Sequence, residues 1–459
     1  MIEKYYDGAI EQVAAGLGTV EKNHLLVRYS GQFSVESLND TKQLEKNEDI
    51  FVQVHEFETG EITCAYEPYL TMICDGFRRY MTGTFEEFME TCDVYYLHRP
   101  VLLGYFNQDN TGREEIILLD EVAYEQERML AALERMLCAI ADRHPVLFVL
   151  NRFQLASKST MQLTARFLKC ENCNIGLVLG VSDIQAMPEF LVPDWEMLYE
   201  TLDDGSKIYH IGNSGRKKEE TIDDEKYVDY GSEKVYRKLQ NMVEFLDFDQ
   251  AAYYLETIER KIKFDNLLVD DAARFRMWLL FVKVSILRQD IPKALEICED
   301  LEKIHLAGKE EECAYEQDYL IATAYMYQGK LKEALEMAGE TYRIAGKMSD
   351  DYRMFLSELL EAKIQMSGWY NIFFCAQDVK IKESLIQNLI RYNYRNHLAH
   401  VYIYAYDNKP EIVKKANQSE ELLIYFSRGI RIAKKLGNEY LINMAYQKNI
   451  MLYIDKRYV

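Results

Sequence analysis

Over roughly the first 215 residues, short apolar runs alternate with amphipathic stretches. IFVQVH (50–55), PVLFVL (145–150) and NIGLVLGVS (174–182) are continuous apolar runs of strand length and predict buried strands. Between the first two, EQERMLAALERMLCAIAD (125–142) sets Met129, Leu130, Leu133, Met136, Leu137 and Ile140 at helical spacing. Strand, helix, strand in that order predicts a parallel sheet with crossover helices. A further apolar run, Leu25, Leu26 and Val27, leads into a Ser/Gly loop and a polar segment, the local pattern of a strand entering a phosphate-binding loop.

After about residue 232 the strand signals stop and helix follows helix, with breaks near Gln289–Pro292, Gly308, Gly329, Gly346 and Gly368. The stretch between, DDGSKIYHIGNSGRKKEETIDDEKY (203–227), is Gly/Ser-containing and then charge-dense, the composition of a boundary. The expected organisation is an α/β domain over 1–215, a linker over 216–232 and a helical domain over 233–459.

The helical half repeats itself. Tyr325, Gly329 and Ala334 are spaced as in the tetratricopeptide helix-turn-helix unit, in which an aromatic, a turn glycine and a small residue let two helices pack closely. Trp278 with Ala294, and Tyr236 with Ala252, occupy the same two positions one and two units earlier. Ala252, Ala294 and Ala334 recur at 42 and 40 residues, longer than the usual unit of about 34, so the repeats resemble tetratricopeptide repeats with extended helices or loops. A fourth unit keeps Gly368 at the turn but carries Phe373 at the small position. Such an array stacks into a solenoid whose concave face binds peptides or proteins. Any single aromatic here is more simply read as inter-helix packing. The last stretch, NMAYQKNIMLYIDKRYV, still has apolar and aromatic residues at helical spacing where a polar capping helix is expected, so the array is expected to continue beyond residue 459.

Composition narrows the partners. With 48% hydrophobic and 28% charged residues the chain reads as globular, and its net charge of −21 argues against nucleic acid or an anionic membrane surface. The acidic N-terminus lacks a secretion signal and no apolar run reaches a membrane-spanning length, which predicts a cytoplasmic protein. Nine cysteines, an odd number, read as reduced thiols, and the lone Cys170-Glu171-Asn172-Cys173 lacks the second pair that a structural zinc site needs. His397 and His400 share a helix without a carboxylate at helical spacing, so no metal is expected.

Set against G-x-x-x-x-G-K-[ST], the loop after Leu25–Val27 places Ser30, followed by Gly31, at the first glycine, Val35 at the second, Glu36 at the lysine and Ser37 at the magnesium hydroxyl. The segment PVLFVLNRFQLASKSTMQLTARFLK (145–169), with NIGLVLGVSDI after it, resembles the Walker B strand and following segment of the STAND class of P-loop NTPases. CAYEPYLTMICDGFRRYM (64–81) is similar to the Pro-Tyr helix entry of that class, and a helical-repeat array is its usual companion. The resemblance covers about residues 1–215 and implies a degenerate site, because Asn151 and Arg152 stand where two acidic residues belong. Glu36 for lysine alone turns an attraction worth roughly 4 kcal/mol at 4 Å into a repulsion.

The expected function is a non-catalytic signalling or regulatory scaffold, of bacterial type, without a cofactor. Its alternative is a nucleotide-dependent switch that binds ATP through a non-standard loop, using Ser37 and Asp120 or Glu121 near magnesium and Arg28 or Lys42 near phosphate. A purely structural assembly protein is a third reading.

Overall fold

The computed structural model describes residues 2–18, 24–29, 39–46, 49–58, 60–109, 121–170, 174–182, 187–203, 207–211, 229–265, 267–366, 383–404 and 416–455. Contacts divide the chain into two compact units. The first comprises Met1–Val94, His98–Gly112 and Glu125–Leu267; the second comprises Tyr95–Leu97, Arg113–Tyr124 and Leu268–Val459.

The first unit is built on a five-stranded sheet. Its strands β1 (His24–Tyr29), β2 (Phe51–Glu56), β3 (Val146–Asn151), β4 (Ile175–Val181) and β5 (Lys207–Ile211) lie in the order β2-β3-β4-β1-β5, and every pairing is parallel. β3 and β4 are buried throughout, which is why VLFVL, before the polar Asn151, and IGLVLGV read as unbroken apolar runs. β2, at an edge, buries only Phe51 fully. β5 pairs with β1 from Leu25↔Lys207 to Tyr29↔Ile211. That five-residue strand falls inside the stretch whose composition reads as a boundary, so the first unit's sheet extends into it.

Helices cover both faces, as a buried parallel sheet requires. On one face α1 (Ile2–Gly16) sets Tyr6, Ile10 and Val13 against Leu25 and Val27 of β1, Leu147 and Val149 of β3, and Val178 of β4. α1 lies close because β4 offers two glycines beneath it. A Cβ on Gly176 would meet Val13 Cγ1 at 2.6 Å, and one on Gly180 would meet the Tyr6 hydroxyl at 2.2 Å. On the opposite face the Phe148 ring packs edge-on against Tyr69 of α3 (Tyr69–Tyr80), which also contacts Phe167 of α7 (Lys158–Lys169). α3 begins directly after Pro68, as the sequence suggests.

Two further helices, α9 (Glu233–Glu244) and α10 (Phe248–Phe264), pack within this first unit. Ser232 and Asp247 cap them by accepting from Val235 N and Gln250 N. The helix pair carrying Tyr236 and Ala252, read from the sequence as the first repeat, is therefore part of the unit that holds the sheet.

The second unit is helical. α11 (Asp271–Leu287), α12 (Ile291–Leu301), α13 (Glu310–Gln328), α14 (Leu331–Lys347) and α15 (Asp351–Met366) each contact the next in the chain. Asp270 and Asp290 cap α11 and α12, and Gly329 ends α13 in the left-handed conformation (φ +81°), which the absence of a Cβ permits. Ala294 and Ala334 are fully buried and Trp278 nearly so; Ala334 packs with Ala322, Leu331, Ala338, Leu360 and Ile364, and Tyr325 lies half-buried beside them. The helices Glu383–Arg391, Arg395–Tyr404, Ala416–Leu436 and Glu439–Asp455 follow. Gly368 lies outside the described residues, as does Phe373.

A buried polar cluster lies inside this unit. The fully buried Glu121 carboxylate accepts from Asn396 Nδ2 at 2.8 Å and from Asn438 Nδ2 at 3.2 Å, and Asn438 Nδ2 also donates to Asn396 Oδ1 at 2.5 Å. Asn438 in turn caps the last helix by accepting from Leu441 N at 3.0 Å.

Removing one partner from such a cluster leaves the others buried and unmatched, at about 1–3 kcal/mol each. Glu121→Ala is expected to lower the urea midpoint of the second unit's unfolding by the equivalent of a few kcal/mol. Glu121→Gln, which keeps an acceptor, is expected to lower it less. Equal midpoints for the two variants would show that the hydrogen bonds carry no net stability.

Candidate functional site

In open parallel sheets ligands bind outside the carboxyl ends of the strands, so those ends are the first place to look for chemistry. Here they are Tyr29 of β1, Glu56 of β2, Asn151 of β3, Val181 of β4 and Ile211 of β5. Period-two alternation puts Val27 and Tyr29, and Val149 and Asn151, on the face covered by α1. The Tyr29 hydroxyl donates to Asn151 Oδ1 at 2.6 Å although β4 runs between the two strands. Gly180 makes that possible: a Cβ there would lie 2.6 Å from Asn151 Oδ1 as well as against Tyr6. The Tyr6 and Tyr29 rings meet edge to face, 6.4 Å between centroids.

The groups in this seam are neutral. Burial holds the Tyr6 phenol far above its usual pKa, with Tyr29 and Glu56 adding to the shift. Burial also raises Tyr29, against the lowering effects of a hydrogen bond from Ser182 and the nearby Arg152 charge. Asn151 is fully buried, and its Nδ2 has no hydrogen-bond partner among the described residues. Arg152 follows in the left-handed region (φ +51°), and its Nε lies 3.5 Å from Glu56 Oε1. Gln154 Nε2 donates to Ser182 Oγ at 2.9 Å, tying the segment after β3 to the end of β4. The carboxylate at these strand ends, Glu56, thus faces a guanidinium. A magnesium shell needs uncompensated carboxylate oxygens.

The loop residues Ser30, Gly31, Val35, Glu36 and Ser37 lie outside the described residues, which resume at Asn39. Asn151 and Arg152 lie at the end of β3 and immediately after it. Arg28, on β1, stacks its guanidinium over the Tyr199 ring at 4.7 Å, and Lys42 is exposed on α2 (Asn39–Leu44). Asp120 lies outside the described residues, whereas Glu121 is held by Asn396 and Asn438. Among the described residues no group of His, Cys, Asp and Glu is arranged to hold a metal ion. His397 is fully buried, and burial pushes its pKa well below the ordinary value.

Two features were not legible as motifs. At the start of α7, Ser157 caps the helix, Ser159 N donates to Asp247 Oδ2 at 3.0 Å, and Lys158 Nζ pairs with Asp249, with Asp194 3.9 Å away. These residues sit at the N-caps and first turns of helices, and the pairing across about 90 positions leaves no local signal. The second is a cleft of about 560 Å³ lined by α3, α5 (Arg99–Asn107) and α9. Lys234, Arg237 and Lys238 enter it from α9, where their spacing on one helix face was the available clue. Lys238 is already engaged by Glu61 at 2.8 Å and Arg78 by Asp75 at 3.1 Å. Burial pushes the Cys64 and Cys74 thiols in the cleft wall up to about 12.

The seam predicts that Gly180→Ala destabilises the first unit by about 1–3 kcal/mol through overpacking against Tyr6 and Asn151, and that Tyr29→Phe costs about as much by leaving Asn151 Oδ1 unmatched. Because both act on one cluster, the double variant is expected to fall short of the sum in a thermodynamic cycle; strict additivity would show that they act separately. Asp247 gives a prediction in pH. Burial raises its pKa above the ordinary 3.8, against hydrogen bonds from Ser159 and Gln250 that lower it. A carboxyl whose folded pKa is raised binds its proton more tightly in the folded state. It therefore supports folding most when protonated, and that support is lost as pH rises from the ordinary value through the folded pKa. Asp247→Asn is expected to gain stability relative to wild type as pH rises across this window; a difference that does not change with pH would refute the assignment.

The sequence matches no protein-family model and no curated protein, so what the chain does rests on its own geometry.

Proposed function

We propose that this chain is a non-catalytic signalling or regulatory scaffold: a degenerate NTPase-like α/β domain of the STAND type, joined to tetratricopeptide-like helical repeats that bind a protein or peptide. The observation that carries the reading is the Tyr29–Asn151 hydrogen bond across Gly180, a neutral, buried contact at the strand ends where a working NTPase concentrates carboxylates for magnesium. The all-parallel sheet with helices on both faces supports the fold assignment, and the run of α11 to α15, each against its neighbour, supports the repeat reading. Ala294 and Ala334, buried at corresponding places in their helix pairs, fit the small-residue position of such repeats. Among the described residues no helix is long and apolar enough to cross a membrane, which is compatible with the proposed cytoplasmic setting.

The mechanism in this reading is conformational. A partner that binds the repeats shifts an equilibrium only by its differential affinity for two arrangements, so the signal is carried by binding energy and not by turnover. The nucleotide-switch reading is kept alive by one observation, the Asn151 Nδ2 donor that has no partner among the described residues, although the side chain is buried in this structure.

Calorimetric titration of the full chain with ATP and ADP, with and without Mg²⁺, separates the two. The expected result is no heat and no thermal shift up to roughly 1 mM nucleotide; binding tighter than about 10 μM would overturn the scaffold reading in favour of the switch.

A further inference from the structure

Cys138 lies on α6 (Val122–Ala141), the helix preceding β3, and Cys170 is the residue that ends α7. Their sulfurs are 3.6 Å apart, and both side chains are partly accessible. A disulfide needs sulfurs at about 2.05 Å, so closing the pair takes an approach of about 1.5 Å. Cys170 occupies the first non-helical position after α7 (φ −65°, ψ 139°), with its N–H still bonded to Arg166 O and Phe167 O. The helical partner, Cys138, is anchored in the middle of its last turns. The other described cysteines of the first unit, Cys64, Cys74 and Cys92, show no such neighbour among the described residues.

We propose that Cys138 and Cys170 form a peroxide-sensitive thiol pair, a modification site at which a hydroperoxide oxidises the two thiols to an intramolecular disulfide. The reaction balances in two steps. The Cys170 sulfur attacks the peroxide O–O bond, giving a sulfenic acid and, for hydrogen peroxide, one water. The Cys138 sulfur then displaces hydroxide from the sulfenic sulfur, which leaves as a second water with the thiol proton, and the S–S bond forms. Two thiols lose two electrons and two protons, and the peroxide takes both.

The order of events follows from position. Cys138 is held above the ordinary thiol range by burial first, then by Cys170, Glu134 and Asp142, which disfavours it as the first nucleophile, and its sulfur, 3.6 Å from that of Cys170, is placed for the second, resolving step. The crosslink would tie α6 to the end of α7 and close a loop that contains all of β3, including Asn151 and Arg152 at its end. The proposal does not depend on whether the strand ends bind nucleotide.

The test uses the intact reduced chain, hydrogen peroxide, iodoacetamide alkylation and peptide mass spectrometry without reductant. The expected product is a peptide pair joined through Cys138 and Cys170, at least tenfold depleted in alkylated Cys138 and restored by dithiothreitol. Cys138→Ser should abolish that pair, and Cys173→Ser should retain it. If peroxide instead joins Cys170 to Cys173, or leaves Cys138 fully alkylatable while Cys170 is oxidised, the proposal fails. Far-ultraviolet circular dichroism of the variants excludes misfolding as the cause of a lost crosslink; should Cys138→Ser unfold, the Cys173→Ser chain still decides between the two pairings.

Discussion

The first unit depends on how closely α1 approaches the middle of the sheet. β4 is the central strand, and its two glycines, Gly176 and Gly180, lie four residues apart on the same face. They form a shallow floor into which Val13 and Tyr6 descend. Any side chain at either position would lift α1, open a gap above Leu147, Val149 and Val178, and forfeit the contacts that densely packed interiors rely on. The weak strand-forming tendency of glycine is thus offset by tertiary packing.

That close approach fixes the chemistry at the strand ends. Tyr6 over Gly180, Tyr29 and Asn151 are all buried, so their polar groups must be neutral or paired. Tyr29 and Asn151 meet the requirement by bonding to each other, and Glu56 by facing Arg152. An aspartate at position 151 would place a buried negative charge beside Tyr29, whose pKa is already raised by burial. The asparagine is therefore consistent with the packing around it as well as with the degenerate site proposed above. The two explanations converge on the same residue, whereas in the cleft beside α9 Arg237 and Lys238 are already paired with Glu233 and Glu61.

The sequence made the framework legible where signals were local. The runs at 50–55, 145–150 and 174–182 correspond to β2, β3 and β4, and the helical spacing of Met129 to Ile140 lies within α6, because burial on both faces of a strand or one stripe of a helix leaves a periodic trace. Breaks at Gln289–Pro292 and Gly329 were visible through cap chemistry. β5 was not, since KIYHI is short and its polar ends resemble a linker. Nor was the place of α9 and α10, whose spacing suits a repeat but whose contacts, Asp247 with Ser159 and Tyr254 with Thr63, are made to residues far away in the chain. Glu121 illustrates the same limit. Read along the chain, an acidic residue after an apolar run suggests metal chemistry, and only the positions of Asn396 and Asn438, about 300 residues later, show what its carboxylate does.

These long-range contacts give α7 a particular position. It spans 12 residues, about 18 Å of helix. One end is fixed to α10 through Ser159 and Lys158, the middle is locked to α3 by the Thr164–Tyr69 hydroxyl contact at 2.6 Å, and the other end brings Cys170 to Cys138. Each attachment uses different chemistry: a buried carboxylate with a lysine pair, a neutral hydrogen bond, and two thiols. Because a packed helix moves as a body, a change at the thiol end reaches Asp247 only by a shift of the whole rod, and such a shift must break the Thr164–Tyr69 contact or carry α3 with it. The Tyr69 ring, wedged between Phe148 and Phe167, resists both, which makes the middle of α7 the point at which any coupling between its two ends would be decided.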